Sequence, residues 1–368
     1  MRVGIITFHA SHNYGSVLQA YALQQTVMAL GHECEIINFR TQGQIDIYKP
    51  FYCQNRFRAK LKALLYPSLA AAVRGKYEKF EAFISGKLKL SATQFATFNE
   101  LSETSFNYDA VICGSDQIWN TNCYDFDEAY LLTFINNVRK IAYAPSMGPR
   151  AALELIPDKQ ELFKNIIPQF DFISVRENAS KEVIEKICGL TADVVVDPTL
   201  LLNSEDWNQL SGTKPLVAGG DYIFFYSPWD NIEVYDEAIK IASEMQTKLV
   251  VSLPYWYPKF HRNPNVVYFV NSGPQEFLNL VKYSRMVIGA SFHAVAFSII
   301  YGKQFYAVDG MNDNRISNLL RPLSIECFAK SPDLFMTDQE LTSIYNDVRI
   351  KLTDITNKSR AYLEKALS

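Results

Sequence analysis

The sequence predicts an α/β protein of two doubly wound lobes, each on a parallel sheet. Three observations carry that expectation. The chain has 368 residues, enough for two domains of roughly 150 residues each. Short apolar runs alternate with helical periodicity from the first residues onward. A stretch rich in Asn, Ser, Gly and Lys, with Pro215 and Gly219-Gly220, divides the series near residues 206–220.

The elements follow in order. Arg2 to Phe8 is a short apolar run, followed by the polar loop His9-Ala10-Ser11-His12-Asn13. Tyr14, Val17, Leu18, Tyr21, Ala22, Met28 and Ala29 recur at helical spacing up to Leu30. Gly31 caps that helix, and Cys34-Glu35-Ile36-Ile37-Asn38 starts a second strand. This β-α-β series is the entry unit of a Rossmann-like domain. Residues 45–105 break the rhythm and read as a helical insertion with a basic face: Arg56, Arg58, Lys60, Lys62, Arg74, Lys76 and Lys79. Such a run is ordinarily a solvated helix surface; the functional alternative is contact with an anionic membrane or a lipid-linked substrate. Strands resume at Asp109–Cys113, Lys140–Tyr143, Phe172–Val175 and Val194–Val196, and Asp197-Pro198 marks a strand end. A second β-α series runs from Tyr222 to Val308, and a helix occupies the last thirty or so residues. The expected organisation is a Rossmann-like lobe at 1–205, a linker at 206–220, a second Rossmann-like lobe at 221–340, and a C-terminal helix at 341–368. That last helix is placed to pack back on the first lobe.

Composition excludes several classes. Net charge is −3, from 36 basic and 39 acidic residues, which argues against a general phosphate-backbone binder and so against a nucleic-acid partner. The 21 Tyr and 24 Phe suit sugar stacking, although aromatics more commonly fill cores. The six cysteines form no C-x-x-C pair and read as reduced. The N-terminus opens on a strand, not on a signal-peptide pattern, and no long apolar run appears, so a cytoplasmic location is expected. No metal-ligating pattern and no G-x-S-x-G elbow is present.

Chemistry in such folds sits on loops after strands, in the cleft between lobes. Loop 8–16 leads into a helix start, which suits an anion, although Asn13 and Ser16 serve equally as caps. Gly114-Ser115-Asp116-Gln117-Ile118-Trp119-Asn120 sets hydrogen-bonding side chains beside an aromatic, the kit of a sugar site. Arg176 offers a planar fork for a carboxylate or phosphate, or a salt bridge with Glu177. His293 lies in the first turn of a helix whose continuation is apolar, placed to act as an acid or as an anion donor. Arg315 is a second candidate anion ligand.

Taken in order, six pieces resemble the polysaccharide pyruvyl transferase family. They are His12-Asn13-Tyr14-Gly15-Ser16-Val17-Leu18-Gln19, Gly114 to Asn120, Tyr143-Ala144-Pro145-Ser146-Met147-Gly148, Ser174-Val175-Arg176-Glu177, Asp197-Pro198-Thr199-Leu200-Leu201, and Ser291-Phe292-His293-Ala294 with its helix. Ala294 departs from the glycine many members carry there. The resemblance implies a glycosyltransferase-B-like (GT-B-like) pair of lobes. It implies transfer of a pyruvyl group from phosphoenolpyruvate to two hydroxyls of one sugar, forming a cyclic ketal and releasing phosphate. It implies no cofactor or metal beyond phosphoenolpyruvate as co-substrate. The acceptor would be a sugar of a lipid-linked or polymeric bacterial capsule, exopolysaccharide or cell-wall glycan, with peripheral contact at the inner membrane face. On this reading His293 and Asp116 are catalytic, and Arg176, Ser291, His293 and Arg315 bind the donor. Asn13, Tyr14, Gln19, Gln117 and Trp119 bind the acceptor. A nucleotide-sugar glycosyltransferase, with Glu276 on the ribose, is the alternative. A glycan-binding protein without catalysis is the third reading.

Overall fold

The computed structural model describes residues 1–50, 64, 66–149, 157–219, 221–228, 232–252, 263–331 and 336–368. The first lobe is a seven-stranded parallel sheet in the order β3-β2-β1-β4-β5-β6-β7. Its strands are β1 (Arg2–Ile6), β2 (Glu33–Phe39), β3 (Leu90–Phe95), β4 (Ala110–Cys113), β5 (Arg139–Ala142), β6 (Phe172–Val175) and β7 (Asp193–Val194). Among its helices are α1 (Tyr14–Ala29), α2 (Gln42–Tyr48), α3 (Pro67–Lys87), α4 (Phe98–Ser102), α5 (Pro157–Ile166) and α6 (Asn178–Cys188). The short α7 (Ser204–Ser211) leads to the second lobe. There β8 (Tyr222–Tyr226), β9 (Lys248–Val251), β10 (Val266–Tyr268), β11 (Met286–Gly289) and β12 (Gln304–Ala307) form a parallel sheet, ordered β10-β9-β8-β11-β12. Helices α8 (Ile232–Glu244), α9 (Pro274–Tyr283), α10 (Phe292–Ile300) and α11 (Asn314–Leu323) complete it, and α12 (Asp338–Ala366) ends the chain.

Parallel sheets are covered on both faces, so their central strands read as continuous apolar runs. β4, β8 and β11 are buried at every residue. In each sheet the strand order reverses beside the first strand of the lobe, between β1 and β4 and between β8 and β11. Such switch points open crevices at the carboxyl ends of strands.

Three local readings change. α1 is buried nearly all round, not along one stripe, because it lies between the first sheet and helices α9 and α10 of the second lobe. Gln24 and Thr26 on its buried surface are bonded: Gln24 Nε2 donates to Lys89 O at 2.8 Å and Thr26 Oγ1 to Ala22 O at 2.8 Å. The insertion at 45–105 is not purely helical, since Leu90–Phe95 pairs with β2 as the edge strand and buries Phe95. The start of the expected linker is α7. Its Asn203 forms a capping box with Asp206, and Trp207 is fully buried. The Asn and Ser that suggest a linker there are a helix cap.

α12 ties the lobes together. Tyr345 Oη donates to Lys303 O at 2.7 Å in the second lobe, and Tyr362 Oη donates to Ala142 O at 2.9 Å in the first. Arg139 Nη1 reaches Ala366 O at 3.1 Å. The basic segment crosses between lobes at Lys79, which pairs with Glu276 at 2.9 Å; within the first lobe the Lys76 ammonium lies 4.8 Å from the Tyr14 ring centroid. Lys79 therefore packs between lobes and Lys76 over the first helix; Arg56, Arg58, Lys60 and Lys62 lie outside the described residues. Among the described residues no helix is long and apolar enough to cross a membrane. Cys34, Cys113, Cys123, Cys188 and Cys327 are free.

Candidate functional site

The carboxyl ends of β4, β5, β6 and β7 meet the start of α10 at Asp197. This carboxylate is fully buried among donors. Its Oδ2 accepts from Arg176 Nη1 at 3.0 Å and Ser115 Oγ at 2.9 Å, and lies 3.6 Å from His293 Nε2. Its Oδ1 accepts from the Thr199 N–H at 3.0 Å and Thr199 Oγ1 at 2.8 Å. Burial would raise its pKa, but His293, Arg176 and the Thr199 N–H outweigh burial and hold it well below the usual carboxylate range. Arg176 also stacks on Phe292, its guanidinium carbon 4.5 Å from the ring centroid. Neighbouring Glu177, equally buried, has its carboxyl pushed up by that burial.

His293 is positioned from the other side by α1. A Cβ on Gly15 would fall 1.9 Å from His293 Nδ1, so only glycine lets the imidazole lie against the helix. The two helix starts thus abut across the lobe junction. Each is capped by a predicted site residue. Asn13 Oδ1 accepts from the Gly15 N–H at 3.0 Å, and Ser291 Oγ accepts from the Ala294 N–H at 3.4 Å. Asp116 sits nearby with φ 77, a left-handed conformation uncommon for a residue with a side chain. Its Oδ2 accepts from Ser16 Oγ at 2.5 Å and its Oδ1 from the Gln117 N–H at 2.9 Å.

Four buried polar atoms at this junction make no hydrogen bond: Arg176 Nε and Glu177 Oε2, which face each other in an ion pair at 3.6 Å, His293 Nε2, which lies 3.6 Å from Asp197 Oδ2, and Arg176 Nη2. Buried polar groups are nearly always satisfied, which singles out Arg176 Nη2 as a candidate donor to a ligand. Beside Arg176 and Asp197 lies a cavity of about 270 Å³, lined also by Asn178, Phe292, Arg315 and Lys358. Arg315 directs Nε and Nη2 to Asp313, at 2.9 and 2.5 Å. Among the described residues no group of three His, Cys, Asp or Glu could hold a metal ion.

The predicted residues therefore divide. His293, Ser291, Arg176, Arg315 and Asp116 gather around this junction. Trp119 lies in the core of the first lobe. It is fully buried, donates from Nε1 to Tyr130 O at 3.2 Å and packs edge-on against Phe163 and Phe170. Tyr14 is buried with its ring stacked on Phe277 and its hydroxyl bonded to Ser272 Oγ and Ser252 Oγ, at 2.5 and 2.8 Å. Gln19 is fully buried, donating to Thr7 Oγ1 and Ser16 O. These three are internal because their helix or loop runs beneath the site, not along its surface. Gln117 keeps some exposure and accepts from Asn120 Nδ2 at 3.1 Å. Glu276, the candidate ribose ligand, caps the Gly273 N–H at 3.0 Å and pairs with Lys79. Asp197 was missed as a site residue. Its one signal was a carboxylate at a strand end, in a piece that reads equally well as a turn.

Two doubly wound lobes with polar residues converging at their junction define a GT-B-like fold. The UDP-GlcNAc 2-epimerase of Methanocaldococcus jannaschii, solved with UDP-GlcNAc and UDP, is similar at a TM-score of 0.50 and 12% identity, over 96% of this chain and 93% of that one. The family model for polysaccharide pyruvyl transferases matches residues 13–310, and the chain belongs to that family. It is accordingly a transferase acting in polysaccharide pyruvylation. A UDP-N-acetylglucosamine 2-epimerase-like protein from Listeria monocytogenes is similar at 13% identity and a TM-score of 0.49, over 99% of this chain and 90% of that one. A glycosyltransferase from Streptomyces nogalater is similar at 13% identity and 0.44, over 100% and 99%. Such identities speak to fold alone. No curated protein sequence matches the chain.

Proposed function

We propose that the protein transfers the pyruvyl group of phosphoenolpyruvate to two hydroxyls of one sugar in a bacterial surface-polysaccharide precursor. The observation that carries this reading is Arg176, a buried guanidinium on the wall of a small cavity, whose Nη2 has no partner while Nη1 and Nε face Asp197 and Glu177. A planar cation of this kind suits a carboxylate or phosphate. At about 270 Å³ the cavity has room for a three-carbon donor. Glu276, held in a cap and an ion pair, weakens the glycosyltransferase reading.

In this scheme Arg176 and the capped start of α10 hold the donor's anionic groups. His293 delivers a proton to the methylene carbon, and C2 becomes electrophilic. A sugar hydroxyl, oriented by Asp116, attacks C2 and loses its proton. Inorganic phosphate leaves with its bonding pair, and a second hydroxyl of the same sugar closes the ketal ring and loses its proton. Asp197 keeps Arg176 and His293 in register throughout.

Thermal stabilisation by phosphoenolpyruvate, nucleotide sugars and inorganic phosphate tests the donor. A ligand at 100 times its Kd adds about 2.7 kcal/mol. The expected result is a shift with phosphoenolpyruvate that Arg176→Lys abolishes, and acceptor-dependent phosphate release. A shift with a nucleotide sugar alone would transfer the reading to a glycosyltransferase. Glycan binding without donor binding or phosphate release would point to a protein without catalysis. Normal turnover by His293→Ala at saturating donor would remove the acid assignment.

A further inference from the structure

The cavity beside Arg176 is not closed by the two lobes alone. Ile355, Lys358 and Ser359 of α12 form part of its wall, together with Arg176, Arg315 and Asn318. α12 lies beyond residue 310, where the match to the family ends. Three cations thus line one small cavity, each with a carboxylate partner: Arg176 with Asp197, Arg315 with Asp313, and Lys358 with Asp354 at 2.7 Å. The Lys358 ammonium gives one hydrogen bond to Asp354 Oδ2, and an ammonium carries three donors.

The helix turn that carries Lys358 is held firmly at the site. Ser359 Oγ accepts from the Val196 N–H at 3.0 Å, one residue before Asp197. Arg360 donates to Leu201 O, and Tyr362 to Ala142 O at 2.9 Å. Lys358 therefore stands at a fixed backbone position on the cavity wall while its tip remains largely exposed. A cation so placed attracts an incoming anion and screens its charge, an effect that fades as salt rises.

We propose that Lys358 is a further anion-binding residue of the donor pocket, so that the C-terminal helix completes the site for a small ligand bearing carboxylate and phosphate groups. This rests on the donor reading above. Structural support of α12 through the Asp354 pair alone would leave donor affinity unmoved.

The test is calorimetric titration of the full chain with phosphoenolpyruvate, alongside steady-state kinetics. Lys358→Glu is expected to raise Kd and donor KM by about 5- to 10-fold at low ionic strength, and by under about twofold near 1 M salt. The kcat at saturating donor should stay within about twofold of wild type, because the residue sits at the pocket wall and not at the reacting atoms. Lys358→Arg should retain affinity. Lys365→Glu, an exposed change on the same helix, is the control for net charge and should match wild type. Unchanged affinity in Lys358→Glu with a binding wild type would overturn this inference alone. So would an equal loss in Lys365→Glu, or a fall in kcat with KM unchanged. A wild type that binds no phosphoenolpyruvate would overturn the donor reading and this inference with it.

Discussion

The imidazole of His293 lies against the backbone of Gly15, across the junction of the two lobes, with no room for a β-carbon between them. Neither residue is near the other in sequence, and each begins a helix that follows the first or fourth strand of its lobe. Gly15→Ala is therefore expected to displace the ring while leaving the helix intact, since alanine is the better helix former by about 0.5–1 kcal/mol. A displacement near 1 Å can cost about 100-fold in rate, so kcat should fall by that order with Tm changed little. Wild-type kcat in Gly15→Ala would show that the contact does not set the working position of the imidazole.

Asp197 is expected to be the most sensitive residue of the site. Asp197→Asn removes the nearer of the two buried carboxylates on Arg176, leaving Glu177 Oε2 at 3.6 Å, and breaking a buried pair costs about 3–5 kcal/mol. Chemical denaturation should show that loss, and donor-induced stabilisation should disappear. Wild-type stability with only a change in kcat would mean that Arg176 is held by other partners.

Trp119 separates a core role from a sugar-binding one. Trp119→Phe removes the N–H donated to Tyr130 O and part of the ring volume, for an expected loss of about 1–3 kcal/mol. The acceptor KM should not change. A several-fold rise in acceptor KM at unchanged stability would return this ring to the acceptor site.

Acid should weaken the cluster that anchors α3. Glu81 Oε1 accepts from His12 Nε2 at 2.7 Å, and Oε2 from Arg40 Nη1 at 2.9 Å. Burial would raise its pKa, but His12 and Arg40 outweigh burial and bring it down to about 2 from an ordinary value of 4.5. A carboxyl depressed in the folded state contributes stability above the unfolded value, and that contribution is lost as pH falls from about 4.5 towards 2. Glu81→Gln should be about 1–2 kcal/mol less stable than wild type at pH 7, a figure discounted for partial exposure. Denaturation midpoints of the pair should converge below about pH 3. A gap that persists unchanged at low pH would show that shape, not charge, is what Gln lacks.

The elements were legible where one physical signal dominated. Buried parallel strands such as Ala110–Cys113 and Met286–Gly289 are apolar at nearly every position, and the helix at Asp338–Ala366 keeps its period over eight turns. The edge strand Leu90–Phe95 was hidden because only one face is covered and its neighbours are charged. α7 was hidden because its cap residues look like a turn. In the site, residue type pointed to His293 and Arg176, which the fold brings together around Asp197. It failed for Trp119, Tyr14 and Gln19, since polarity or aromaticity next to a site loop does not say which way a side chain points.

The sequence by itself determined the two α/β lobes, the strand-end loops where polar groups gather and the family resemblance, because these are written in local periodicity and residue order. Only the tertiary structure decided that Asp197 joins Arg176 to His293, that Gly15 seats the imidazole, and that a helix from the far end of the chain walls the pocket. Those contacts join residues 21 to 278 positions apart, from Asp197 with Arg176 to Gly15 with His293. They arise from how two sheets and their covering helices pack together, a choice made by the buried surface of the whole chain and not by any one segment.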